Sequence, residues 1–131
     1  MGQPMYMQKA VNSGGTAQTP NANRDGTGDL TEIVTCSAPA GLRIDSIHFQ
    51  AVDTTVANVL RVYLSNESEV VTRLIKEIPV TAVTVSNTVP AWAYDWELRI
   101  PLILENGYSL LFAPSTGSAR YHVSVTSGGE L

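Results

Sequence analysis

The chain has 131 residues, 8 basic and 12 acidic side chains and a formal net charge of −4, which is the size of one ordinary domain. Only 15% of its residues are charged, and no basic cluster occurs that could bind a nucleic-acid backbone. No apolar run approaches the ~18 residues that cross a bilayer, which argues against a membrane-spanning protein.

Residues 1–29 differ in composition from the rest of the chain. They are rich in Gly, Asn, Thr, Gln, Ala and Pro, and contain few large apolar side chains. Such a segment cannot bury enough surface to offset its own ordering entropy. We therefore predict an extended N-terminal arm over residues 1–29 and a folded domain over residues 30–131. The arm is either a disordered tail or a segment that orders on a partner through Met5, Tyr6, Met7, Lys9 and Val11.

Three strands are expected in the first half of the folded domain. The β-branched run Leu30–Cys36 predicts the first, and Leu42–Val52 predicts the second. The apolar residues of the second strand change phase near Asp45 and Ser46, which indicates a β-bulge. Asn58–Ser65 predicts the third strand, with three leucine or valine side chains facing inward: Leu60, Val62 and Leu64.

The stretch Glu69–Val80 is ambiguous, because neither of its faces is uniformly apolar. Its centre, Thr72–Ile78, could form a short helix, but its Val, Thr and Ile content favours a strand. Pro79 then belongs at a sheet edge or a strand end. The next segment, Thr81–Pro90, is either an extended edge or a crossover loop.

The stretch Ala91–Leu102 alternates bulky and charged side chains with a period of two, which predicts a long strand with one buried and one solvent-facing side. The predicted buried side comprises Trp92, Tyr94, Trp96, Leu98, Ile100 and Leu102. The solvent-facing side comprises Ala93, Asp95, Glu97, Arg99 and Pro101.

The end of the chain predicts two more strands. Glu105-Asn106-Gly107 is typical of a hairpin turn that joins Leu102–Leu104 to Tyr108–Phe112. The last strand covers Ala119–Thr126, with Tyr121, Val123 and Val125 inside. About seven to eight strands with regular turn signals predict an all-β fold, an antiparallel β-sandwich that is jelly-roll-like.

One loop resembles a calcium-binding pattern. Its oxygen ligands would be Asn21, Asn23, Asp25, Asp29 and Glu32, at the spacing of an EF-hand loop. The first ligand is Asn instead of Asp, Gly28 stands where an aliphatic residue is usual, and no helices are predicted around the loop. A turn leading into a strand would use the same Asp-Gly and Thr-Gly pairs.

Other candidates for chemistry have simpler structural explanations. Cys36, His48 and His122 come from separate strands without metal-ligand spacing, so we expect no metal and no cofactor. The single cysteine cannot form an intrachain disulfide, and we expect it to be a buried small side chain in a protein made in a reducing compartment. Asp95 and Glu97 would lie about 7 Å apart on one strand face, a separation seen in glycosidases, but ordinary solvation of an exposed strand explains them as well.

The three aromatic residues of the long strand allow two interpretations. If exposed, Trp92, Tyr94 and Trp96 could form a platform on which sugars stack. Their regular alternation with charged residues favours a stripe in the core or at a subunit interface. We expect no catalytic residues, since no nucleophile elbow, phosphate-binding loop or dinucleotide fingerprint occurs.

Six short segments form a recognisable set: Arg24–Gly28, Gly41–Ile47, Val59–Leu64, Arg73–Val80, Gly107–Leu110 and Tyr121–Leu131. Together they resemble a family of small proteins encoded in the structural gene regions of tailed bacteriophages. The resemblance covers about residues 21–131, and the sequence departs from the family pattern at Asp29-Leu30 and over Ala91–Trp96.

This resemblance implies a virion component, and specifically a capsid decoration (cement) protein that binds and stabilises the head lattice without enzymatic activity. Similar β-sandwich proteins sit as trimers on the capsid, so the implied partners are the major capsid protein and further copies of this chain. The implied location is the capsid exterior, after synthesis in the host cytoplasm. The alternatives are another virion part, such as a tail, fibre or adaptor protein, or a carbohydrate-binding module.

Overall fold

The computed structural model describes residues 8–66 and 71–131, with Val71 described by its backbone alone. Over these residues the chain forms nine β-strands and no helix, and it therefore contains no helix that could cross a membrane. The strands are β1 (Lys9–Ala10), β2 (Gly14–Ala17), β3 (Thr31–Thr35), β4 (Leu42–Ala51), β5 (Asn58–Asn66), β6 (Val71–Val80), β7 (Ala93–Leu104), β8 (Tyr108–Pro114) and β9 (Tyr121–Glu130).

The strands form two antiparallel sheets that pack face to face. In the first sheet β9 and β4 are central, β7 lies at one edge, and β1 and β2 both pair with the other side of β9. The second sheet has the order β3-β8-β5-β6. The pairs β2–β9, β3–β8, β4–β7 and β5–β6 follow one another as if a single long hairpin had been rolled up, which is the strand order of a jelly roll. The predicted all-β sandwich is confirmed.

The core lies between the two sheets and follows the expected alternation. Phe49 of the first sheet meets Phe112 of the second edge to face, with ring centroids 6.0 Å apart. Aromatic pairs favour this geometry because the positive ring edge meets the negative ring face. The largest buried side chains around this pair are Ile33, Ile44, Ile47, Leu60, Ile78, Leu104, Leu110 and Tyr121.

The predicted bulge in β4 is confirmed. In the pairing of β4 with β9, Ile44 lies opposite Gly128 and Ser46 opposite Ser127, so Asp45 is the extra residue, and both Ile44 and Ile47 are fully buried. Without the extra residue, strict alternation after Ile44 would turn Ser46 and His48 into the core. The bulge keeps the two halves of the apolar pattern on one face.

The ambiguous stretch before Pro79 is a strand. β6 pairs with β5 from Asn66↔Val71 to Asn58↔Val80 and forms the edge of the second sheet. The following residues 81–92 cross from the second sheet to the first and are held by an isolated bridge between Thr55 and Val83. Of the two interpretations of this segment, the structure shows the crossover loop.

The Asn-Gly turn is present, but the predicted hairpin is wrong. Gly107 has a φ of 93°, as this turn requires. However, the turn connects β7 in the first sheet to β8 in the second. A turn signal fixes the local reversal of the chain, whereas the partners of the two strands depend on the rest of the fold.

The N-terminal region is part of the sandwich from Gln8 onward, so the predicted boundary at residue 29 does not separate an arm from a body. β1 and β2 run along the edge of β9, and Ala17 is buried. Gly15 fits because a Cβ there would come within 2.5 Å of the Glu32 carbonyl oxygen. A Cβ on its neighbour Gly14 would come within 2.1 Å of the Val123 carbonyl oxygen. Glycines that suggested a loose arm are thus what allows close docking.

The bulge predicts a large contrast between two adjacent residues. Truncating Ile47 to Ala should lower the free energy of unfolding by about 2–5 kcal/mol, because Ile47 is fully buried. Ser46→Ala should cost less than about 1 kcal/mol, because its hydroxyl bonds only the exposed Thr126. Urea unfolding of both variants measures the difference. Equal losses would show that the two side chains do not point to opposite faces.

Candidate interaction surface

β7 forms one edge of the first sheet and has two different faces. Its solvent-facing side chains include Ala93, Asp95 and Glu97, which are exposed as predicted. Its other side presents the aromatic stripe, defined here as Trp92, Tyr94 and Trp96. All three aromatic side chains are partly buried and pack against the core.

Each ring of the aromatic stripe contacts another side chain. Trp92 and Tyr94 are parallel within 5°, with centroids 6.4 Å apart, and the edge of Tyr121 meets Trp92 at 6.2 Å. The ammonium group of Lys76, on β6 of the other sheet, lies 5.8 Å from the centre of the Trp96 ring. Sugar stacking needs a free ring face, so this arrangement favours a stripe at the rim of the core over a sugar platform.

The aromatic stripe lies where the two sheets are open to solvent along β6 and β7. We call this region the open side, defined by β6, β7 and the side chains between them. Apolar residues surface along it without being fully covered. The partly buried members on β7 or directly before it are Ala91, Trp92, Tyr94, Trp96, Leu98 and Leu102.

Ile100 was predicted to face inward, and this prediction is wrong: its side chain is 85% exposed. Opposite β4, the register jumps from Ile44↔Leu102 to Ser46↔Glu97. Four residues of β7, from Leu98 to Pro101, therefore lie opposite Asp45 alone. Such an insertion pushes the chain outward, and Ile100 projects from the open side as an apolar knob.

The solvent face of the first sheet contains a polar pair that no local sequence pattern predicts. His48 Nδ1 lies 2.5 Å from Asp95 Oδ1 across β4 and β7, and His48 Nε2 lies 3.1 Å from Gln50 Oε1. The Gln50 amide nitrogen points to the carbonyl oxygens of Ala51 and Trp92, so its oxygen faces the imidazole as an acceptor. Both ring nitrogens of His48 then donate, which is the charged form.

The hydrogen bond from His48 to Asp95 raises the pKa of the imidazole above its ordinary value, while partial burial opposes the shift. The pair ties the edge strand β7 to the centre of its sheet. No local sequence pattern could have found it, because the two residues are 47 positions apart and meet only through strand register.

Ser124, His48 and Asp95 also lie in one row across β9, β4 and β7. Nucleophilic catalysis by such a row requires the free imidazole nitrogen to contact the hydroxyl. Here Gln50 occupies that nitrogen. The row lies on the solvent-facing side of a sheet, where the pairs Ser124↔His48 and His48↔Asp95 lie side by side. It is therefore a surface polar network rather than a nucleophile with its base.

The loop that resembles a calcium site is organised by its own amide group. Asn21 is 7% exposed, and its Nδ2 donates to the carbonyl oxygens of Thr27 and Asp29 at 2.8 and 3.0 Å. Its Oδ1 accepts from the backbone of Asn23 at 3.0 Å. A donor thus points at carbonyl oxygens that a cation would otherwise need, and the geometry gives the calcium hypothesis no support.

Two of the remaining calcium candidates, Asp25 and Glu32, already accept hydrogen bonds from other residues. Asp25 accepts hydrogen bonds from the hydroxyl and backbone of Thr27, which lower the pKa of its carboxyl. Glu32 lies on β3 and accepts from Thr35. Within residues 8–66 and 71–131, no group of three or more His, Cys, Asp or Glu side chains is placed to hold a metal ion.

The same loop lies across the solvent face of the second sheet. The Tyr63 hydroxyl donates to the Asn23 carbonyl oxygen at 2.9 Å, and Arg24 forms an ion pair with Glu77 at 2.9 Å. Arg61, which is almost fully buried, reaches the carbonyl oxygens of Ala22 and Asn23. The second sheet is therefore partly covered on its outside.

The predicted arm contacts fall into two groups. Lys9 lies in β1 and is exposed, while Val11 is partly buried and packs against the core. Val11 is thus held by its own domain through a backbone bond to Gly128. Met5, Tyr6 and Met7 lie outside the described residues. Cys36 is buried, as expected, and its thiol lies 3.6 Å from the Ala38 carbonyl oxygen.

Comparison with known proteins adds no assignment: no family model matches the sequence, and no curated protein is significantly similar to it.

The His48–Asp95 pair predicts a pH-dependent stability. Because the folded-state pKa of His48 is raised, its contribution is fully present below the ordinary value of 6.5 and is lost as the pH rises through the folded-state pKa. Asp95 is 67% exposed and His48 is 33% exposed, so solvent screens the pair and the effect should not exceed about 1 kcal/mol. The difference in unfolding free energy between the native chain and Asp95→Asn should shrink between pH 5.5 and pH 8.5. A difference that grows with pH would contradict the pairing.

The buried amide of Asn21 predicts a second effect. Asn21→Ala should destabilise the protein by about 1–3 kcal/mol, because it leaves two carbonyl oxygens and one backbone N–H without their partner. The matched variant Asn23→Ala should cost less, since its single bond to Thr27 is long and exposed. Thermal unfolding with and without millimolar Ca²⁺ provides the check. A Ca²⁺-dependent rise in melting temperature that Asn21→Ala abolishes would restore the calcium interpretation.

Proposed function

We propose that this chain is a virion structural protein of a tailed bacteriophage, which binds the assembled head as a decoration protein and acts through contacts rather than catalysis. The observation that supports this most directly is the open side. Its apolar side chains are left partly uncovered along the edge strand β7, and Ile100 is 85% exposed. Apolar surface of this kind is typical of a protein–protein contact.

Three further features agree with the proposal. The resemblance to small proteins of phage structural gene regions points to a virion. The jelly-roll strand order recurs in viral capsid domains, although it also recurs in lectins, so it is a fold-level analogy. The low charged content of 15% suits a surface that packs against neighbours.

The proposed mechanism is physical. Apolar area removed from water at the contact contributes roughly 25 cal/mol per Å². Repeated sites on a head lattice multiply weak individual contacts through avidity, provided that the protein binds as an oligomer. We propose a trimer, with the open side and residues 1–7 as the contact regions and the major capsid protein as the partner.

Binding to heads tests the proposal. Purified protein mixed with phage heads that lack it should co-sediment, and light scattering of the free protein should give three times the chain mass of 14.1 kDa. Ile100→Ser should weaken binding at least tenfold, because the apolar knob is lost. Deleting residues 1–7, which leaves β1 and β2 intact, should also weaken binding to heads.

The matched control is Val56→Ser, which removes another exposed apolar side chain that lies outside the open side. This variant should bind heads like the native protein. Failure of the native protein to co-sediment would contradict the decoration role. Binding that Ile100→Ser leaves unchanged would contradict the assignment of the open side.

A further inference from the structure

Three of the four sheet edges are protected against the addition of another strand. An edge strand offers unpaired N–H and C=O groups, and proteins block them with inward charges, prolines, bulges or covering segments. β6 has an inward Lys76, a proline at Pro79, and a register shift that leaves Ile75 without a partner on β5. These devices make β6 a poor template for pairing.

The edges on the other side of the sandwich are covered or short. β3 is covered by the N-terminal region, because the Ser13 hydroxyl donates to the Ile33 carbonyl oxygen at 3.0 Å and Gly15 sits against Glu32. The opposite edge of the first sheet consists of β1 and β2, which have two and four residues. Neither offers a long regular edge.

The first half of β7 has none of these protections. From Ala93 to Glu97 it pairs regularly with β4, contains no proline, and pairs with no other strand in the described chain. Ala51 N donates to the Trp92 carbonyl oxygen at 2.8 Å. Backbone groups alternate in direction along a strand, so Trp92, Tyr94 and Trp96 bond to β4. The N–H and C=O groups of Ala93, Asp95 and Glu97 therefore point to the open edge.

The side chains beside this edge define what could pair with it. Asp95, which is 67% exposed, and the exposed Glu97 stand on the solvent face. The partly buried Tyr94 and Trp96 lie on the other face. A strand lying along this edge would meet acidic groups on one face and aromatic groups on the other. The insertion from Leu98 to Pro101 ends the regular edge, so the template is five residues long.

We propose that the edge Ala93–Glu97 is a strand-addition site for an extended segment of a partner protein in which basic and apolar side chains alternate. Its basic residues pair with Asp95 and Glu97, its apolar residues extend the aromatic stripe, and its backbone bonds to the outward groups of β7. This inference goes beyond the decoration role, because the edge recognises the alternating basic and apolar segment itself, whether a capsid protein or another protein carries that segment.

The proposal can be tested with two short peptides and isotope-labelled native protein. The probes are the capped peptides Thr-Lys-Val-Lys-Val-Lys-Thr and Thr-Glu-Val-Glu-Val-Glu-Thr. Titration followed by amide chemical shifts should show the lysine peptide binding at least ten times more tightly, with the largest shifts at Ala93, Asp95 and Glu97. Equal binding of the two peptides, or shifts centred on another edge, would overturn the proposal.

Variants distinguish the contribution of the acidic side chains to binding from that of the outward backbone groups of β7. The double variant Asp95→Asn, Glu97→Gln should reduce lysine-peptide affinity at least fivefold. Ala93→Pro should abolish binding, because it removes an outward N–H while both carboxylates and every bond to β4 remain. Glu105→Gln, an acidic-to-neutral change in the β7–β8 turn, should bind like the native chain. Full affinity in both edge variants would overturn the proposal, whether or not the protein binds phage heads.

Discussion

The pairing of β4 between β9 and β7 is the constraint on which the rest of the structure depends. β4 places Ile44, Ile47 and Phe49 in the core on one face, and His48 on the other, only because one extra residue at Asp45 corrects the phase. The same register brings Asp95 to His48 and leaves the outer edge of β7 without a partner strand among the described residues. Core packing and the exposed edge are thus two results of one alignment.

Much of the fold followed from local alternation, and the errors have physical causes. Strand positions and the β4 bulge were predictable because burial on one face imposes a period of two. The same period, continued through β7, placed Ile100 inward, because an insertion opposite Asp45 has no signature in the sequence of β7. Gly14 and Gly15 suggested a loose arm because glycines carry no side chain and leave no apolar pattern in the sequence. The same lack of a side chain lets this segment dock closely onto the backbone of neighbouring strands.

The candidate surface was only partly predictable. The two faces of the aromatic strand followed from its sequence, and so did the preference for a stripe over a sugar platform. The His48–Asp95 pair, the edge position of β7 and the outward direction of its backbone groups depend on which strands become neighbours. Strand order is a non-local property, and no residue near Trp96 encodes it by itself. The hydrogen bonds made by the Asn21 side chain are local, to residues 23, 27 and 29, but they depend on the exact conformation of the loop, which the turn residues alone do not specify.

Among the described residues, the jelly roll leaves the outer edge of β7 unpaired, beside a rim of partly buried apolar side chains. Hydrogen exchange at single amides tests most directly whether this edge is free. In the free protein, the amides of Tyr94 and Trp96 should exchange slowly, whereas those of Asp95 and Glu97 should exchange nearly as fast as in an unfolded chain. Equal protection of Asp95 and Tyr94 in the free protein would show that the edge is already occupied and would contradict the account.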